Sequence, residues 1–261
     1  MTAIIIAVIV VTVIGIICAV VLAVASKVMY VPVDERVTQL SEVLPGANCG
    51  GCGFPGCDGY AAALVADPDT PLTLCAAGGN ACAQAMAKIL GKEAGEMVEK
   101  RAFVQCTGDC SKTANKMEYS GIESCKAAKV LFGGTGSCTF GCMGLGDCVS
   151  ACVNGGVEIK DGLARINYTI CNGCGGCVKA CPNGVIALLP ADIPALVACS
   201  NKDKGAVARK KCTAACIGCG MCMRKCPQGA IKVENNIARV DYEKCDGCGT
   251  CASVCPAKCI L

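Results

Sequence analysis

No histidine and no tryptophan occur in the 261 residues, and aromatic side chains make up only 3% of them. Without histidine there is no His-ligated haem, no Rieske-type centre and no imidazole acid–base chemistry. So few aromatic rings leave the usual large apolar core thin. A formal net charge of +3 is too small to point to nucleic acid. No glycine-rich dinucleotide fingerprint follows a strand-like run.

What the chain has instead is cysteine, 28 residues of it. Such a content fits either a secreted disulfide scaffold or metal ligation in a reducing compartment. Disulfide scaffolds are usually short and need no regular triplets, and the spacing here is regular. Cys216, Cys219, Cys222 and Cys226, closed by Pro227, form a C-x2-C-x2-C-x3-C-P run. In such a run three cysteines hold one iron–sulfur cluster and the fourth reaches across to a second. The run recurs at Cys245, Cys248, Cys251, Cys255 and Pro256, and again at Cys171, Cys174, Cys177, Cys181 and Pro182. Zinc ribbons use paired C-x2-C units rather than triplets closed by Cys-Pro. Metal binding would also supply cohesion that the thin core lacks, because it becomes folding free energy.

Residues 3–25 carry no charge and are mostly Ile, Val and Ala. About 20 apolar residues span a bilayer, so 1–26 is expected to be a single transmembrane anchor in contact with lipid. The alternative is a signal peptide, with Ala23-Val24-Ala25 as an A-x-A site. No basic segment precedes the run, however, and it exceeds the usual apolar length. Lys27 and Arg36 follow it, which places the body in the cytoplasm by the positive-inside rule. The need for reduced thiols points the same way. Cys18 reads as a small packing residue.

Cys49, Cys52, Cys57 and Cys75 form a C-x2-C-x4-C-x17-C set, a [4Fe–4S] signal within an expected domain at 27–100. Asp58–Ala66 reads as a short helix, Ala81–Leu90 as another, and Lys88–Lys100 as a helical connector. Cys82 has no vacancy to fill and is expected not to ligate. An insert at 101–137 and a strand and linker at 190–211 flank the first of two similar modules.

Residues 138–189 align on 212–261 with an offset of 74 at each of the eight shared cysteines. Each copy reads as a ferredoxin module with short strands, such as 156–160 and 163–167, between two motifs. Leu145 stands where the second copy has Cys219. The first copy is therefore expected to hold one cluster on Cys138, Cys142, Cys148 and Cys181, and another on Cys152, Cys171, Cys174 and Cys177. The second uses Cys216, Cys219, Cys222 and Cys255, then Cys226, Cys245, Cys248 and Cys251. Val104–Thr107 resembles Val197–Ser200. A sixth site is expected from Cys106, Cys125, Cys199 and Cys212, with Cys110 spare; the alternative is a set of unligated buried thiols. Cys259 falls outside every motif. The fold class is α+β: one transmembrane helix, a small [4Fe–4S] domain and two ferredoxin-like modules with paired clusters.

The anchor, LPGANCGGCGFPGC and the paired modules with CTFGCMGLGDC resemble the B subunit of the Rnf complex. The likeness runs over nearly the whole chain. It implies an electron-transfer subunit, with no catalytic site of its own, in a membrane complex. That complex oxidises reduced ferredoxin, reduces NAD+ and moves Na+ or H+. The implied partners are soluble ferredoxin and other membrane subunits. The implied location is the cytoplasmic membrane, with the cluster domains on the cytoplasmic side. The rival reading is a membrane-tethered polyferredoxin that serves another enzyme or a redox regulator without pumping. A third is a structural metal-binding protein.

Overall fold

In a computed structural model, which describes residues 2–28, 34–95 and 97–261, the chain opens with helix α1 (Thr2–Val28). Met1 of the expected anchor, residues 29–33 at the start of the next domain and Glu96 of its connector lie outside the described residues. Within α1, Ile4–Lys27 is long and apolar enough to cross a membrane, and its most apolar window buries nothing against the rest of the protein. Its isoleucines and the valines from Val10 to Val24 are exposed around the helix. In water that exposure is unfavourable on every face; in lipid it costs nothing.

Three helices build the next unit: α2 (Glu35–Val43), α3 (Cys57–Ala66) and α4 (Gly79–Leu90). Asp34 caps α2 by accepting from the Arg36 N–H at 2.9 Å. Leu40, Tyr60, Leu64 and Met86 are fully buried between the three helices. Tyr60 satisfies its hydroxyl by donating to the Pro71 carbonyl at 2.7 Å. The expected connector helix over Lys88–Lys100 does not form. Gly91 takes a left-handed conformation at φ 64° and ends α4, and the Lys92 N–H closes the turn on the Ala87 carbonyl. Strand structure begins at Lys100.

The remainder carries strands β1 (Lys100–Val104), β2 (Val157–Lys160), β3 (Leu163–Ile166), β4 (Ile186–Pro190), β5 (Ile231–Glu234) and β6 (Ile237–Val240). Short helices α5 (Cys125–Val130), α6 (Asp147–Ser150), α7 (Gly176–Ala180), α8 (Gly205–Lys211), α9 (Met221–Lys225) and α10 (Thr250–Ser253) lie among them. The pairings β1–β4, β2–β3 and β5–β6 are all antiparallel. The repeat is visible in three dimensions. Hairpin β2–β3 superimposes in sequence on β5–β6. The β1–β4 pair, with Val104 opposite Ile186, is matched by a bridge of Val197 to Ile260.

Gly144 and Gly218 sit against the turns of these hairpins. A Cβ on either would lie 2.5 Å from the Gly162 carbonyl oxygen or 2.8 Å from that of Asn236. Only glycine lets the cysteine loops approach so closely. The cores beneath are built of Ala, Val, Ile and Cys rather than aromatic rings, as the composition requires.

Candidate metal centres

The folded chain gathers most of its cysteines into separate groups. Cys49, Cys52, Cys57 and Cys75 line one hollow, closed by Tyr60 and by Cys174 from the next module. The Asn48 side chain holds the loop by accepting from the Cys57 N–H at 2.8 Å. Cys82 stays outside this hollow. Its thiol reaches the Val43 carbonyl and hydrogen-bonds Cys75, holding that thiol down at about 6.

Cys152, Cys171, Cys174 and Cys177 face one another in the first module. Backbone donors point at their sulfurs: Gly156 N–H at 3.3 Å from Cys152 Sγ, and Ala102 N–H at 3.5 Å from Cys171 Sγ. In the second module Cys245, Cys248 and Cys251 lie together. Cys226 there receives the Ala230 N–H at 3.3 Å, at the position equivalent to Cys152 and Gly156. Cys216, Cys219, Cys222 and Cys255 line a further hollow, together with Cys259.

Two expected groups come out differently. The hollow with Cys142, Cys148 and Cys181 is completed by Cys125, not Cys138. Asp147 brings Cys125 there. Its carboxylate accepts from the Cys125 N–H at 2.9 Å, the Lys126 N–H at 2.9 Å and the Ser124 hydroxyl at 3.1 Å. Asp147 adjoins Cys148 in sequence, so the cap fixes the start of α5 beside that cysteine. Burial opposes ionisation of Asp147, but these donors outweigh it and hold its carboxyl below the usual range. Cys125 thereby occupies the vacancy that Leu145 leaves.

Cys138 instead lines a cavity of about 980 Å³ with Cys106, Cys199 and Cys212. The repeat contained this grouping: Cys138 aligns on Cys212, as Cys106 matches Cys199. The buried Asn201 ties two of them together, its amide donating to Cys138 Sγ at 3.5 Å and its backbone N–H to Cys199 Sγ at 3.5 Å. No sequence pattern marks Asn201. Cys110 is exposed on the rim, packed on Gly162.

The donor sets are thiols alone, the choice of iron–sulfur clusters and zinc among common metals. Among the described residues no three Cys, Asp or Glu side chains converge as closely as a single ion requires, whereas four of the cysteine groups surround hollows, and N–H donors are aimed at sulfurs in both modules. That is the environment of a multi-atom cluster with thiolate corners. Burial pushes the Cys106 and Cys148 thiols up to about 12, so their thiolates need the positive charge of a metal to persist.

Comparison with known proteins agrees. Family models described as "Putative Fe-S cluster", "4Fe-4S binding domain" and "4Fe-4S dicluster domain" match residues 44–76, 163–186 and 207–256. The B subunit of a proton-translocating ferredoxin:NAD(+) oxidoreductase complex from Clostridium ljungdahlii is 47% identical, over 91% of this chain and 84% of its own length. The chain belongs to this family of B subunits. A Na(+)-translocating counterpart from Acetobacterium woodii is 44% identical over 88% of this chain and 69% of its own. An ion-translocating counterpart from Methanosarcina acetivorans is 38% identical over 88% of each. As a member of that family the chain is an electron-transfer component of an oxidoreductase complex, and it carries several [4Fe–4S] domains.

Proposed function

We propose that the chain is a six-site relay that takes single electrons from reduced ferredoxin at its distal module and delivers them at the anchored domain to membrane subunits. A [4Fe–4S] cluster in each site supplies a one-electron change without making or breaking a bond. The ligand sets are Cys49/52/57/75, Cys152/171/174/177, Cys125/142/148/181, Cys106/138/199/212, Cys216/219/222/255 and Cys226/245/248/251. Two ferredoxin-like modules, at 138–189 and 212–261, carry four of them, with Cys125 supplied by the insert. The Cys106 set lies between the modules.

Contacts between sites support that order at three of its steps. Gly51 lies against Cys174, and a Cβ there would be 2.6 Å from the Cys174 oxygen. Lys179 Nζ donates to the Gly50 carbonyl at 3.1 Å across the same contact. Cys142 lines the cavity of the Cys106 set, and the Cys216 N–H donates to Cys199 Sγ at 3.3 Å. The residues hold the sites in a fixed order, bury them and set the donors around each sulfur.

One observation carries the direction. Of the ligand cysteines, which are all described, Cys219 and Cys248 alone are exposed, and both belong to the distal module. Lys202, Lys204, Arg209, Lys210, Arg224 and Lys225 are exposed around that module, a basic rim suited to an acidic protein donor. Lys211 is occupied differently, paired with Asp203 at 2.8 Å. Helix α1 holds the assembly in the cytoplasmic membrane, with the clusters on the cytoplasmic side and the ion path in partner subunits. Anaerobic stopped-flow mixing of reduced ferredoxin with the purified full-length chain tests the reading. Rapid, salt-sensitive bleaching is expected. Bleaching by a small reductant but not by ferredoxin contradicts it.

A further inference from the structure

Cys259 belongs to no ligand set, yet it is fully buried among one. Its sulfur lies 3.7 Å from Cys255 Sγ, and its thiol is also within hydrogen-bonding reach of Cys216. Both neighbours would be iron-bound thiolates and carry no hydrogen. The only S–H in the group is therefore that of Cys259, and the ligand sulfurs are its acceptors.

The first module provides an internal comparison. The offset that aligns the modules puts Cys259 on Val185. The backbones match: the Ala198 N–H donates to the Cys259 carbonyl at 2.8 Å, and the Gln105 N–H to that of Val185 at 2.6 Å. Val185 is equally buried and lines the hollow of Cys125, Cys142, Cys148 and Cys181. Shape and position are conserved between the two sites, and the donor is not.

We infer that Cys259 is a positioning residue whose thiol hydrogen-bonds the ligand sulfurs Cys216 and Cys255, raising the reduction potential of that cluster relative to its counterpart beside Val185. A reduced cluster carries one more negative charge. A donor at its ligand sulfurs stabilises that state more than the oxidised one. The inference rests on the proposed ligand set Cys216/219/222/255.

EPR-monitored redox titration of the full-length chain, with iron analysis, tests it on Cys259→Val, Cys259→Ser, Val185→Cys and Cys216→Ala. Cys259→Val should keep its iron and shift one midpoint to a more negative potential. Cys259→Ser, which keeps a donor, should stay nearer the unmodified protein, and Val185→Cys should shift a different midpoint to a more positive one. Unmoved midpoints in both Cys259→Val and Val185→Cys would overturn the inference. So would loss of about four irons in Cys259→Val, which would make Cys259 a ligand. Full iron content in Cys216→Ala would instead overturn the ligand set, and the inference with it.

Discussion

The backbone N–H of Cys216 donates to the sulfur of Cys199 across 3.3 Å. One residue thus supplies a thiol to the distal module and a donor to the site between the modules. The two sites cannot shift independently, and the second module is held in register with the first. Thr113 adds to this, its hydroxyl donating to the Lys211 carbonyl at 2.9 Å from within the insert.

The exchange of Cys125 and Cys138 between sites is separable by paired substitution. Cys106→Ala with Cys138→Ala removes two ligands of one site and should cost about four irons. Cys125→Ala with Cys138→Ala strikes two sites and should cost about eight. Iron analysis of the purified variants reads the difference, and a loss of about eight irons in both would restore the grouping expected from spacing.

That exchange shows what local pattern carries and what it does not. Triplets such as Cys171, Cys174 and Cys177 are legible because their cysteines lie close together along the chain. Cys125 is not, because a carboxylate 22 residues away delivers it. Cys138 is legible in principle, since the repeat places it on Cys212, but its short spacing to Cys142 points instead to the motif beside it. The connector failed for a simpler reason, the left-handed stop at Gly91. Helices α3 and α4 and strands β2 and β3 lie where the sequence pattern places them, within a residue or two, whereas no helix is expected from it at α2.

Asp147→Ala should release the start of α5. Loss of a cap costs about 1 kcal/mol, and here three donors lose their acceptor together. The expected result is a lower melting temperature and reduced iron at the Cys125 site, read by EPR, with the other sites retained. Asp147→Asn, which keeps one acceptor oxygen, should fall between the two.

Gly51→Val should part the anchored domain from the first module, because its side chain meets the Cys174 backbone rather than a movable side chain. Overpacking of this kind costs about 1–3 kcal/mol. Iron content should stay near normal. After a reducing pulse, electrons should reach the Cys49 site more slowly while the distal sites are reduced at the usual rate.

Charge reversal of Lys204, Lys210 and Lys225 to Glu should lower the ferredoxin on-rate by about tenfold or more at low salt and flatten its salt dependence. Reduction by a small uncharged donor should be unchanged. Reversal at Lys211 is a poorer probe, since it also breaks the pair with Asp203. An unaltered on-rate would place the ferredoxin elsewhere.

The most direct test of the six-site relay is the iron and acid-labile sulfide content of the full-length protein, purified and reconstituted without oxygen. Six four-iron sites predict about 24 irons per chain, with matching sulfide. About 20 irons would remove the site between the modules and break the relay there, and zinc in place of iron would contradict the account altogether.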